Sequence, residues 1–169
     1  MPKAIINYVR WVDATNRFIG RIVMWGVFAM MAVLLYSSFM KFFFNPPHWT
    51  IEGAQFSLAA YFLLGGGYSM QLASHVRMDL LYGNWTDRTK AWVDVFTILA
   101  LIFYLCVLLY GGFSSTEYAL EYGERSRTLW RPYMWPVKVV MCIGIALMLL
   151  QAISEFFKDI AKLRGAEIA

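Results

Sequence analysis

Four ionisable residues bracket one apolar stretch, and any chemistry this chain performs has to be sought first among them. Glu52 stands before the uncharged run from Ala54 to Ala73, and His75, Arg77 and Asp79 stand together after it. An acid at the edge of a membrane span can carry a proton or a cation, or can pair with a base such as Lys41 or one on another chain. An arginine can clamp a carboxylate through two parallel hydrogen bonds, and Asp79 is spaced to fix either Arg77 or His75. The plainer reading of that cluster is an ordinary helix end, where a cation complements the exposed carbonyls. A second group, Glu121, Glu124, Arg125 and Arg127, lies in a loop of mixed charge that serves either as a solvated face or as a docking surface for an external partner.

Other chemistries find no residues to carry them. The sequence has no glycine-rich phosphate loop, no cysteine and histidine spacing for a metal, and no serine motif with a base, so no catalytic or metal-binding residue is assigned. A haem shared by the two histidines is excluded by distance, since His48 and His75 lie about 40 Å apart along a helix. Cys106 and Cys142 both fall in apolar runs, where cysteine behaves as a small buried hydrophobe, and no disulfide is expected.

The elements that must position these groups follow from composition. Of 169 residues, 60% are hydrophobic and 15% charged, and the mean hydropathy is +0.52. Ordinary soluble domains carry about 25% charge. The chain therefore reads as an all-α integral membrane protein with room for about four spans and none for a separate soluble enzyme domain. A net charge of +4 raises the question of nucleic acid, but the bases are scattered among apolar segments, which fits anionic lipid headgroups better.

In chain order, residues 1–17 place Ile5, Val9 and Val12 on one side and Arg10, Asp13 and Arg17 on another, as in an amphipathic helix lying on the membrane surface. No small-residue cleavage pattern follows, so this segment is expected to remain in the mature chain. Spans are expected at about 18–44, 52–73, 92–112 and 136–157, in a single membrane domain covering 1–169. Asn45-Pro46-Pro47-His48 breaks the chain after the first span, because consecutive prolines cannot continue a helix. Gly65-Gly66-Gly67 lies inside the second, either as a close-packing site or as a kink. Thr86-Asp87 marks the next helix start, and the third span extends in more polar form through Glu117 and Glu121 to Gly123. Trp135-Pro136 opens the fourth, with proline suited to a first helical turn. Glu155 with Lys158 and Asp159 with Lys162 have the spacing of a solvated helix end.

Orientation follows from the bases. Of the 15 lysines and arginines, Lys3, Arg10, Arg17, Arg21, Arg77, Arg88, Lys90, Lys158, Lys162 and Arg164 fall on the side of the termini, and Lys41, Arg125, Arg127, Arg131 and Lys138 on the other. The positive-inside rule then puts both termini in the cytoplasm. The spans carry almost no polar group at mid-membrane, where a conductor of polar solute needs them. This chain alone is not expected to form a transport pathway.

The order Trp49-x-x-Glu52, His75-Val76-Arg77-Met78-Asp79, Gly123-Glu124-Arg125-Ser126 and a proline-introduced last span resembles the small membrane subunit, the DctQ type, of tripartite ATP-independent periplasmic (TRAP) transporters. The resemblance covers nearly the whole chain and rests on the order and spacing of short motifs. It implies a subunit of a bacterial inner-membrane importer that takes up organic acids on a sodium gradient. It further implies two partners besides membrane lipids: a separate large membrane subunit of the DctM type that carries the substrate and sodium sites, and a periplasmic substrate-binding protein. By resemblance, Glu52, His75, Arg77 and Asp79 belong to subunit contacts or helix fixing. Glu124, Arg125 and Ser126 belong to the periplasmic docking face, and no cofactor is implied. Two other readings stand beside it: a small proton-coupled multidrug exporter that works as a homodimer through Glu52, and a structural subunit of another membrane complex.

Overall fold

The structure, a computed structural model, describes residues 3–43, 47–72 and 87–163. Those residues form four α-helices: α1 (Lys3–Phe43), α2 (Trp49–Gln71), α3 (Asp87–Glu121) and α4 (Trp135–Leu163). No strand occurs among the described residues; a single antiparallel bridge joins Arg125 to Tyr133. Three helical stretches, Ile5–Phe43, Val95–Glu121 and Trp135–Ala161, are long and apolar enough to cross a membrane. The 23-residue α2 falls outside that group because Gln55, Ser57, Ser69, Gln71 and three consecutive glycines dilute its apolar side chains.

Contacts between named residues fix the helix directions. Along α1 and α2 they join Asn16 to Gly67, Val23 to Gly65, Gly26 to Tyr61 and Ser37 to Thr50, so these helices are antiparallel. Leu63 meets Gly144 and Gly66 meets Met148, so α2 and α4 run parallel. Gly112 and Thr116 of α3 meet Cys142, and Lys138 reaches the carbonyl of Ser115, which sets α3 against α4 in the opposite sense. The result is an up-down-up-down bundle in which α4 packs on all three other helices and both terminal segments share one end.

The apolar core lies mid-bundle. Leu105, Ile145 and Ala152 are its buried residues, with Leu63, Met70, Leu101, Met148 and Leu149 packed around them. Outside, α1 and α3 present bulky apolar side chains: Phe18, Trp25, Phe28 and Leu35 on one, Trp92, Phe96, Phe103 and Tyr110 on the other. A soluble bundle would carry polar residues there. Cys142 is buried as expected, whereas Cys106 is exposed on this outer face, because the direction of its side chain is set by helix phase and not by the apolar run it sits in.

Two expectations need correction. Residues 3–17 do not form a separate surface helix; they are the first part of the unbroken α1, and their stripe Val9, Val12 and Asn16 is buried against the bundle instead of in headgroups. The end of α4 is likewise more than a solvated helix end. Lys158 does pair with Glu155, at 2.9 Å, but both are largely covered and Lys158 also binds Asp13 of α1.

The glycine triplet resolves as a packing site. The helix continues through it, with Gly65 and Gly67 against α1 and Gly66 against α4. A Cβ on Gly66 would lie 2.7 Å from the Met148 sulfur, one on Gly67 would lie 2.8 Å from Asn16 Oδ1, and one on Gly65 would meet only Val23 at 3.8 Å. Two of the three glycines therefore sit where a neighbouring helix's side chain leaves no room for a Cβ, as small residues permit in a membrane bundle.

Candidate functional site

Polar side chains inside the bundle gather at its two ends. At the end that holds the termini, a network ties α1 to α4. Asn16 donates through Nδ2 to Gln151 Oε1 at 2.7 Å, and Gln151 Nε2 lies 3.0 Å from both Asp13 Oδ1 and Glu155 Oε1. Lys158 Nζ closes the set at 2.8 Å from Asp13 Oδ2 and 2.9 Å from Glu155 Oε1. Ser154 Oγ donates to Asp13 at 3.4 Å, and Gln71 of α2 donates through Nε2 to the Asp13 carbonyl at 3.3 Å. Asn16, Gln151 and Ser154 are essentially inaccessible to solvent. The physical cause is register: Val9, Val12, Asp13, Asn16 and Gly20 form one stripe of α1, so the face that buries valines also buries the amide and the carboxylate.

The opposite end is organised by the turn into α2 and by the loop after α3. Ser37 and Thr50 share a hydrogen bond at 2.9 Å, and Thr50 Oγ1 donates to the Pro47 carbonyl at 2.9 Å, which anchors the chain after the proline break. Glu52 lies in the first turn of α2, where the helix dipole favours a carboxylate, and is only 6% exposed. Among the described residues its Oε2 has no hydrogen-bond partner and no ion pair joins it to Lys41.

Helix α3 is closed just past its end by Gly123, whose φ of +59° allows Glu124 N–H to reach back to the Ala119 carbonyl at 3.1 Å. That is a Schellman closure, which a glycine makes without a Cβ clash. The loop then folds on itself. Ser126 N–H donates to the Pro132 carbonyl and Met134 N–H to the Glu124 carbonyl, both at 3.0 Å. Arg125 donates to the Tyr133 hydroxyl and lies 4.3 Å over its ring. Glu124 pairs with Lys138 at 2.5 Å, and Ser126 shares a hydrogen bond with Thr128 at 3.1 Å.

The residues expected to act are thus distributed as follows. Glu124, Arg125 and Ser126 are brought together in a hairpin-like loop, with local partners for each. Glu52 shares their end of the bundle. His75, Arg77 and Asp79 lie outside the described residues. The Asp13, Asn16, Gln151 and Lys158 network was missed from sequence, although Gln151 and Ser154 interrupting an apolar helix and Asp13 with Asn16 on the valine stripe were its signals.

Between the two ends the interior is apolar, and its nearest polar pair is Thr116 with Cys142, whose Thr116 Oγ1 also donates to its own helix at Gly112. Among the described residues no cluster of three His, Cys, Asp or Glu side chains is placed to hold a metal. Such a bundle is a helical membrane subunit: outward-facing apolar surfaces, tight glycine packing and polar ties at its ends. The family comparison agrees. Residues 30–162 match the model of the tripartite ATP-independent periplasmic transporters, DctQ component, and this chain belongs to that family. It is therefore a small-subunit component of a TRAP transporter, and the family is one of transport components, not enzymes. Searches of curated proteins and of solved structures return no significant match. The matched stretch begins inside α1, so it includes Gln151, Glu155 and Lys158 but not Asp13 or Asn16.

Proposed function

We propose that this chain is the scaffolding subunit of a sodium-coupled importer of organic acids in a bacterial inner membrane. It crosses the bilayer four times with both termini in the cytoplasm, holds a large membrane subunit of the DctM type, and helps dock a periplasmic binding protein. The observation that carries this reading is the apolar band around Leu63, Leu105 and Ile145, which separates the two polar ends and, among the described residues, leaves no file of polar groups for a solute to follow. Substrate and sodium then belong to the partner. The apolar outer faces of α1 and α3 supply surface for lipid and for that partner. Glu52, His75, Arg77 and Asp79 serve subunit contacts or helix fixing, and the unpaired oxygen of Glu52 suits a donor from another chain. Glu124, Arg125 and Ser126 serve the periplasmic face, where a loop already held by its own hydrogen bonds loses little entropy on docking.

The same unpaired oxygen is the one observation in favour of the proton-coupled exporter. Glu52 stands in the first turn of α2, however, and not at mid-membrane where an exchanging carboxylate would meet its cargo. Reconstitution separates the two. Proteoliposomes holding this chain with its large subunit and binding protein should accumulate an organic acid when an inward sodium gradient is imposed, and those holding this chain alone should transport nothing. Proton-driven drug efflux by the chain alone would overturn the proposal.

A further inference from the structure

A furrow of about 460 Å³ runs between α1 and α2 toward the end of the bundle that holds the termini. We propose that it holds one acyl chain of an anionic glycerophospholipid, with the phosphate met by Arg17 and Arg21. Its floor is Gly65, Gly66 and Met148, and Met24 and Phe62, both more than half exposed, form its rims. It extends along α2 from Tyr61 to Leu72, about 16 Å at 1.5 Å per residue. That is close to half of a hydrocarbon core about 30 Å thick, the depth of one leaflet. Its end nearest the termini is lined by Ser69 and the exposed Leu72, and the membrane placement proposed above puts that end at the leaflet surface.

Charge selects the headgroup. Arg17, Gly20, Arg21 and Met24 have the i, i+3, i+4, i+7 spacing of one helix stripe, so the two arginines share the face of α1 on which Gly20 and Met24 line the furrow. Both are exposed, and among the described residues neither has a carboxylate partner. A phosphate diester at that depth gives them bidentate hydrogen-bond acceptors. The width selects an acyl chain over a protein segment. Gly65 lies within 3.8 Å of Val23 at its Cβ position, so α1 and α2 already touch along the furrow. A third helix, about 10 Å across, would rest on its rims without entering.

This inference rests on the membrane placement of α1 and α2 proposed above, but not on the identity of any partner subunit. The test uses the full chain, purified in mild detergent after exposure to phosphatidylglycerol or phosphatidylcholine, with bound lipid read by native mass spectrometry. One retained phosphatidylglycerol, little phosphatidylcholine and no displacement by inorganic phosphate are expected. Arg17→Gln with Arg21→Gln should lower phosphatidylglycerol retention about tenfold, since each base near the surface adds several-fold to anionic lipid binding. Gly65→Leu, whose Cβ has room, should abolish retention by filling the floor. Unchanged retention in the arginine variant, or equal retention of both lipids by the wild type, would overturn the proposal. So would efficient cross-linking of a Met24→Cys chain to a larger membrane protein, which would place a polypeptide in the furrow. Release of the wild-type chain from membranes by alkaline carbonate would instead sink the membrane placement itself.

Discussion

Asn16 and Gln151, 135 residues apart in sequence, face one another at 2.7 Å in the interior of the bundle and join its first helix to its last. Gln151 is the hub, because its other side binds Asp13 and Glu155 at 3.0 Å. Truncating Asn16→Ala leaves Gln151 Oε1 buried without a donor and should destabilise the chain by about 1–2 kcal/mol. The coupling between Asn16→Ala and Gln151→Ala in a double-mutant cycle should be about 0.6 kcal/mol, the typical size of a hydrogen bond inside a membrane protein. Denaturant unfolding in detergent reads both. A coupling near zero would mean that the two amides meet without holding the helices together.

Lys158 is the cation that lets Asp13 and Glu155 approach each other, and all three side chains are about four-fifths covered. Lys158→Met should therefore cost about 2 kcal/mol, less than a fully buried pair because some solvent remains. The loss should change little with salt, since a covered pair is weakly screened. Thermal unfolding at low and high ionic strength checks this.

The glycines make a paired prediction. A Cβ on Gly144 would fall 2.8–3.0 Å from the Cβ and backbone of Leu63, which cannot swing away. Gly144→Ala should push α2 from α4 and cost about 1–3 kcal/mol. Gly111→Ala meets nothing within 4 Å and should be neutral or stabilising by up to about 1 kcal/mol through helix propensity. Melting temperatures of the two variants should move in opposite directions or differ clearly.

In the loop, Gly123→Ala should cost about 1 kcal/mol because it forces a side chain into the left-handed backbone region. Glu124→Gln removes a partly exposed ion pair to Lys138 and should cost about 1 kcal/mol or less. If Glu124→Gln nevertheless lowers affinity for the periplasmic binding protein in a pull-down, its charge serves docking and not stability.

How far the sequence could lead depended on the range of the interaction. The helices were legible from local signals: α1 ends at Phe43, before the expected proline break, and Pro136 sits in the first turn of α4. The apolar outer faces followed from composition. The network at Asp13 was hidden because its partners come from the far end of the chain, and because charged residues near the terminus read as a surface helix until the stripe of Val9, Val12 and Asn16 is followed into Gly20. The glycine triplet could be read as packing or kink until Met148 and Asn16 were found against it. The loop motif Gly123-Glu124-Arg125-Ser126 was visible as polar, but its folding onto Tyr133 and Lys138 depends on pairings across the turn.

As the small subunit of a larger membrane complex, the chain should leave the membrane together with its partner. The most direct measurement is purification of the tagged chain from its native membranes in mild detergent, with mass spectrometry of what accompanies it. A roughly equimolar, much larger polytopic protein is expected to accompany it. Recovery of this chain only, as a dimer, would contradict that role and return attention to the Glu52 carboxylate, whose Oε2 has no partner among the described residues.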